Sequence, residues 1–186
     1  MCDIQMADYL LDTNAYFALL KYISLNENNE EYEKVINGNC YISKLTQIEI
    51  ISVIGQYARG NSGSIQICER IYEDETTPCG KKFITAKRKK WSQQKTKDWL
   101  KLEKDISNGR NSKFNVKVLD IDQKVISEAQ HFIQKALIHN FKSMDAMILG
   151  TAKANSNEEK KMIVVTADKG LKAGMDKIEY PYITFN

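Results

Sequence analysis

The chain has 186 residues, 42% hydrophobic and 27% charged, which suits one globular domain with a substantial core. No apolar stretch approaches the ~20 residues of a membrane helix, and the amino terminus lacks the basic-then-apolar order of a secretory leader, so a cytoplasmic protein with no membrane partner is expected. Net charge is only +3, but residues 81–105 hold ten Lys/Arg against three acids, a local +7 that leaves −4 elsewhere and separates a basic appendage from a mildly acidic body.

Residues 7–11 form a short apolar run ending at Asp12 and read as a buried first strand. Tyr16, Leu19, Leu20 and Ile23 then fall at helical spacing, and residues 27–36 make a more polar second helix that Asn37-Gly38-Asn39 stops. A brief strand at 40–43 precedes a helix starting at Thr46 and ending near Gly60. Past the Gly60–Gly63 break, residues 65–72 are expected to be helical, 73–80 a loop, and 82–106 one long helix. The apolar stripe of that long helix is Ile84, Trp91, Trp99, Leu102 and Ile106, set among lysines. A strand at 116–119 follows, then a helix capped by Asp122 running to about His139, and another capped by Ser143. Residues 162–165 read as a β-branched buried strand and 182–185 as a last one. Strands alternating with helices indicate a parallel α/β sheet with right-handed crossovers.

Four widely spaced cysteines (Cys2, Cys40, Cys68, Cys79) and two histidines (His131, His139) offer no zinc spacing, and free thiols are expected. There is no Gly-rich phosphate loop and no nucleophile–histidine set. Acids stand out instead: Asp12, Glu49, Asp145 and Asp168 each sit at an expected strand or helix end beside an apolar run. Each also has an ordinary structural role open to it. Asp12 can cap the helix that starts near Asn14. Glu49 completes a capping box in Thr46-x-x-Glu49. Asp145 in a first helical turn gains about 0.3–1 kcal/mol from the dipole. Asp168 can serve the turn before Gly170. Gathered at one pole of a sheet, the four would make a hard oxygen site suited to Mg²⁺ or Mn²⁺ and to phosphate chemistry. Asn14 and Thr166 are placed to support neighbouring carboxylates by hydrogen bonding.

Asp12-Thr13-Asn14 after a first apolar strand, Glu49 three residues after Thr46, Asp145-Ala146 opening an apolar helix and Thr166-Ala167-Asp168 after a final apolar strand together resemble a PIN-domain nuclease. The resemblance covers residues 7–54 and 116–186, and leaves 55–115 as a basic helical insertion in a single domain spanning 1–186. It implies a three-layer α/β/α sandwich around a mostly parallel sheet. It also implies a divalent-metal site on the four acids and metal-dependent endoribonuclease activity. Many such proteins are VapC-like toxins, so an antitoxin partner and a homodimer are expected. The competing expectation is a PIN-like module that binds nucleic acid or protein without cutting. Lys87, Arg88, Lys89 and Lys90 are the expected contacts to RNA phosphates, the alternative being a solvated helix face.

Overall fold

The computed structural model describes residues 7–60, 65–67, 82–84, 89–135, 142–157 and 160–185. The elements in chain order are β1 (Asp8–Leu11), α1 (Thr13–Leu25), α2 (Glu30–Ile36), β2 (Asn39–Ser43) and α3 (Lys44–Arg59). They continue with β3 (Ile65–Ile67), β4 (Lys82–Ile84), α4 (Gln93–Ser107), β5 (Lys117–Leu119) and α5 (Gln123–Lys135). The last four are α6 (Ser143–Ala154), β6 (Ile163–Val165), α7 (Lys169–Lys177) and β7 (Tyr182–Ile183). The chain divides into two compact units, Met1–Ile50 with Lys101–Asn186 and Ile51–Leu100, with the boundaries inside α3 and α4. None of the helices, among the described residues, is long and apolar enough to cross a membrane.

The larger unit is built on a five-stranded sheet ordered β5-β2-β1-β6-β7, with every neighbouring pair parallel. Helices on both faces make it an α/β/α sandwich, as the family resemblance implied, around the parallel sheet that the alternating pattern indicated. Burial on both faces explains why Tyr9–Leu11 of β1 and all of β6 are apolar in succession instead of alternating with polar residues. Leu10 and Val164 join Ala129, Phe132, Ile148, Leu149, Leu171 and Met175 in one core cluster with helices α5 to α7. Leu11 and Val165, the next residues along each strand, are also fully buried, and strand alternation turns them to the opposite face. From β1 the chain steps to β2 on one side and later to β6 on the other. The carboxyl end of β1 is therefore the switch point where open α/β sheets form their crevice.

Helices α5 and α6 pack with almost no gap at Gly150. A Cβ there would stand 2.7 Å from the Val125 carbonyl oxygen and 2.8 Å from the Ala129 amide nitrogen. Both are backbone atoms and cannot rotate away. Gly150→Ala gains roughly 1 kcal/mol of helix propensity, yet overpacking of this kind costs about 1–3 kcal/mol. Urea denaturation should show a net loss of stability, and an Ala variant as stable as the parent would mean that the helices part freely.

Several expected elements take a different form. The expected helix at 65–72 begins instead as β3, antiparallel to β4 with Ile65 opposite Ile84 and Ile67 opposite Lys82. Pairing across this hairpin overrides any local helical preference, and two β-branched isoleucines at alternate positions favour it. Residues 68–72 lie outside the described residues. The expected helix at 82–106 is broken for the same reason: Ile84 belongs to β4, and α4 starts only at Gln93. The Ser92 hydroxyl accepts from the Lys95 amide at 3.1 Å, a helix-start signal that the lysine run obscured. Ser143 is the first residue of α6, not its cap. Lys142 precedes the helix, and its amide donates to the Asp145 carboxylate at 3.1 Å. Asp122 does cap α5, accepting from Val125 at 2.9 Å, while residues 136–141 lie outside the described residues. Nothing in the sequence pattern had set aside Lys169–Lys177 as a helix, because its apolar positions are few.

Candidate functional site

The register of the two central strands builds the site. Leu11 on β1 lies opposite Val165 on β6, so the residues leaving the two strand ends, Asp12 and Thr166, emerge side by side. The Asp12 amide donates to the Val165 carbonyl at 3.1 Å and extends the ladder by one step. The Thr166 hydroxyl donates to the Asp12 carboxylate and accepts from the Asp168 amide at 3.0 Å. One buried hydroxyl thus links two of the four acids. Asp12 also caps α1, accepting from the Ala15 amide at 2.6 Å, so its structural and candidate functional roles coexist on one carboxylate.

Glu49 does not close a capping box. Helix α3 begins two residues before Thr46, and Ser43 serves as its cap, accepting from the Thr46 amide at 3.0 Å. That places Glu49 in the second turn, where it accepts instead from the hydroxyl of Thr13 on α1. Thr13 is a residue the sequence reading missed; its one available signal was its place between Asp12 and Asn14. Asn14 is exposed, and its backbone N–H, not its side chain, is what bears on the Asp12 carboxylate.

Asp145 opens α6 and accepts from the Lys142 amide, while Asp168 caps α7 by accepting from the Gly170 and Leu171 amides at 2.7 and 3.0 Å. Asp168 acts electrostatically on both Asp12 and Asp145, and Glu49 acts on Asp145. The four acids therefore form one connected electrostatic group within the larger unit. Burial is the main cause that pushes the Asp12 carboxyl up from 3.8 to about 6. The Ala15 amide and Thr166 hydroxyl oppose the rise, and the Asp168 charge adds to it. Asp145 is raised by burial first, and also by Asp168 and Glu49, against the Lys142 amide and ammonium. None of the four sits in a salt bridge among the described residues.

A raised acid pKa makes stability fall as pH rises, because the folded state holds a proton that the unfolded chain has released. For Asp12 the window runs from about 4 to about 6, and the full penalty above it is on the order of 3 kcal/mol. In EDTA, thermal denaturation should show stability dropping between about pH 4 and 6, and Asp12→Asn should flatten that slope. A variant with the parental slope would place the pH dependence elsewhere.

All the donors are carboxylate oxygens, the chemistry that hard divalent cations prefer, and among the described residues none of them is ion-paired. That donor set fits Mg²⁺ or Mn²⁺. Among the described residues no three of these groups already stand close enough to hold an ion. Each carboxylate is instead engaged by a protein donor, Thr13, Thr166, Lys142 or the α7 amides. Of the expected phosphate-binding residues, Lys89 and Lys90 are exposed and precede α4, whereas Lys87 and Arg88 lie outside the described residues.

Comparison with solved structures finds this fold in FitAB bound to IR36 DNA fragment, at 17% identity and TM-score 0.53, covering 95% of this chain and 94% of that one. FitAcB from Neisseria gonorrhoeae matches at 18% identity and TM-score 0.51, covering 96% of each chain. VapBC2 from Rickettsia felis bound to a DNA fragment from their promoter matches at 13% and 0.51, covering 96% and 98%. Identities this low carry the fold alone. A comparison with curated proteins gives no match. The PIN domain family model, however, matches residues 9–174, a span that begins on β1, ends within α7 and contains all four acids, and the chain belongs to the PIN domain family.

Proposed function

We propose that the chain is a metal-dependent endoribonuclease that hydrolyses RNA phosphodiester bonds at Asp12, Glu49, Asp145 and Asp168. The observation that carries this reading is the electrostatic linkage of the four acids around the carboxyl end of β1, where Asp168 acts on Asp12 and Asp145 and Glu49 acts on Asp145. Those four residues would hold Mg²⁺ or Mn²⁺, and such an ion when bound neutralises the site and polarises the scissile phosphate. Thr166 keeps Asp12 turned toward Asp168, and Thr13 keeps Glu49 turned toward α1. Burial of Asp12 excludes water from one side of the site and strengthens its field. The test is cleavage of single-stranded RNA by the purified chain with Mn²⁺, set against a small chromogenic phosphoester. Turnover of the phosphoester with intact RNA would overturn the reading in favour of a small-molecule phosphohydrolase.

The biological role proposed is that of a VapC-like toxin acting in the cytoplasm, restrained by an antitoxin and working as a homodimer. The fold shared with FitAcB and VapBC2 supports it. Ile48 on α3 and Ile126 on α5, 66% and 37% exposed, are apolar surface that such partners would cover. A short reading frame beside the gene, whose product silences the nuclease, is the expected companion. The second reading, a PIN-like module that binds without cutting, draws on the carboxylates being held by protein donors, and calorimetry with Mn²⁺ separates the two. Binding that disappears in Asp12→Asn supports the nuclease.

RNA affinity is assigned to the lysine run. Replacing Lys87, Arg88, Lys89 and Lys90 with Gln should weaken binding similarly across sequences, because phosphate contacts carry no base information. Each lost contact should lower the slope of log K against log salt by about 0.7 for single strands. An unchanged slope with normal affinity would make these residues a solvated surface.

A further inference from the structure

In the smaller unit, Tyr57 near the end of α3 and Trp91 just before α4 stack with ring centroids 4.6 Å apart and planes 20° from parallel. The Trp91 amide donates to the Tyr57 carbonyl at 3.0 Å, which fixes the two residues side by side. Gly60 closes α3 with φ +74, and the space where its Cβ would stand is filled by Lys90, 3.0 Å away. Trp99 on α4 sits 4.8 Å from the Trp91 ring and is only 7% exposed.

The three rings are not equivalent. Trp99 is buried as a packing residue should be, but Tyr57 and Trp91 remain half-buried. The Lys95 ammonium lies over the Trp91 ring, 4.9 Å from its centroid. Arg59, Lys89, Lys90 and Lys97 are exposed in the same unit, and Asp98 is the only acid among its described residues. A half-exposed aromatic stack among cations is the composition that recognises single-stranded nucleic acid, where bases stack on rings and cations follow the phosphates.

We propose that the Tyr57–Trp91 stack is a base-stacking subsite for single-stranded RNA. The choice of RNA as the polyanion rests on the nuclease reading above. A nucleobase extends the stack, and Lys95 exchanges its place over Trp91 for a phosphate of the same strand. Because every base has a π-face, the subsite reads strandedness and not sequence. A duplex keeps its base faces inside its own stack and cannot use it.

The test is a titration of the Asp12→Asn chain in EDTA with a short oligouridylate, following tryptophan fluorescence and the salt dependence of affinity. Binding should quench the emission. Trp91→Leu should abolish the quench and weaken binding roughly tenfold with the salt slope unchanged, while Trp91→Phe keeps most of the affinity. Lys95→Gln should instead lower the slope by about 0.7. A folded Trp91→Leu chain that binds like the parent overturns the proposal, as does equal quenching by a duplex of the same length. Should Trp91→Leu fail to fold, absence of quenching in the Trp91-bearing chain is the overturning result. Loss of the subsite with RNA cleavage intact removes this proposal alone. Quenching with no cleavage in the metal-loaded parent removes the nuclease reading alone.

Discussion

Asp145→Asn should keep its fold and lose most RNA cleavage, by roughly 100-fold or more, the rate equivalent of the several kcal/mol that a correctly held divalent ion contributes. The substitution keeps the shape of the side chain, and its amide oxygen can still accept from the Lys142 backbone as the carboxylate does now. What disappears is one negative charge from a group in which Asp168 and Glu49 already work against Asp145. In the absence of metal, thermal stability should therefore hold or rise, since burial disfavours the charged form that the Asn removes. Circular dichroism and a denaturation curve accompany the activity assay. A variant that unfolds would make Asp145 a structural residue of the α6 entrance, and one that still cuts would remove it from the site. Glu49→Gln is the companion measurement. Its Thr13 contact can persist with an amide, so a large activity loss at unchanged stability would separate ligand from brace.

The sheet and the acids were legible in the sequence for the same reason: each depends on a few contiguous residues. The run ending at Asp12 and the β-branched run ending at Val165 mark central strands because buried parallel strands must be apolar on both faces. Asp12, Asp145 and Asp168 follow or open such runs, so their positions at element ends could be read locally. What could not be read were pairings set by tertiary structure. The β3–β4 hairpin joins Ile65 to Ile84 across intervening sequence that gives no sign of the partner. The Thr13–Glu49 bond spans 36 positions and exists because α1 and α3 are neighbours in space. Ser43 displaced Thr46 as the cap of α3 through a choice between two capping residues three positions apart, and that choice moved Glu49 one turn along the helix and out of the expected box. The lysine run misled in another way: lysine is a good helix former, so its composition extended α4 backward over Trp91 and hid the aromatic stack that precedes the helix.

Chelation should abolish RNA cleavage completely, and Mg²⁺ or Mn²⁺ added in excess should restore it. The chain's own residues make the expectation sharp. An acid–base mechanism without metal needs a positioned group that can give and another that can take a proton near neutral pH. Asp12 is pushed up to about 6, but its oxygens are already engaged by the Ala15 amide and the Thr166 hydroxyl. His131 is exposed on α5, and Cys40 is buried with its thiol pushed up to about 12, so neither offers a nucleophile or base to the site. The four carboxylates without a cation also repel the phosphate they would have to approach. Metal addition should therefore act on affinity and rate together: RNA binding measured with the Asp145→Asn chain should respond less to Mn²⁺ than binding by the parent. The same ion should raise the melting temperature of the parent above pH 6, where Asp12 is charged, and have little effect near pH 4, where its proton already occupies the site. Cleavage that survives EDTA unchanged, or a melting temperature equally insensitive to Mn²⁺ at both pH values, would mean that the acids do not hold an ion and that the reaction is carried elsewhere in the chain.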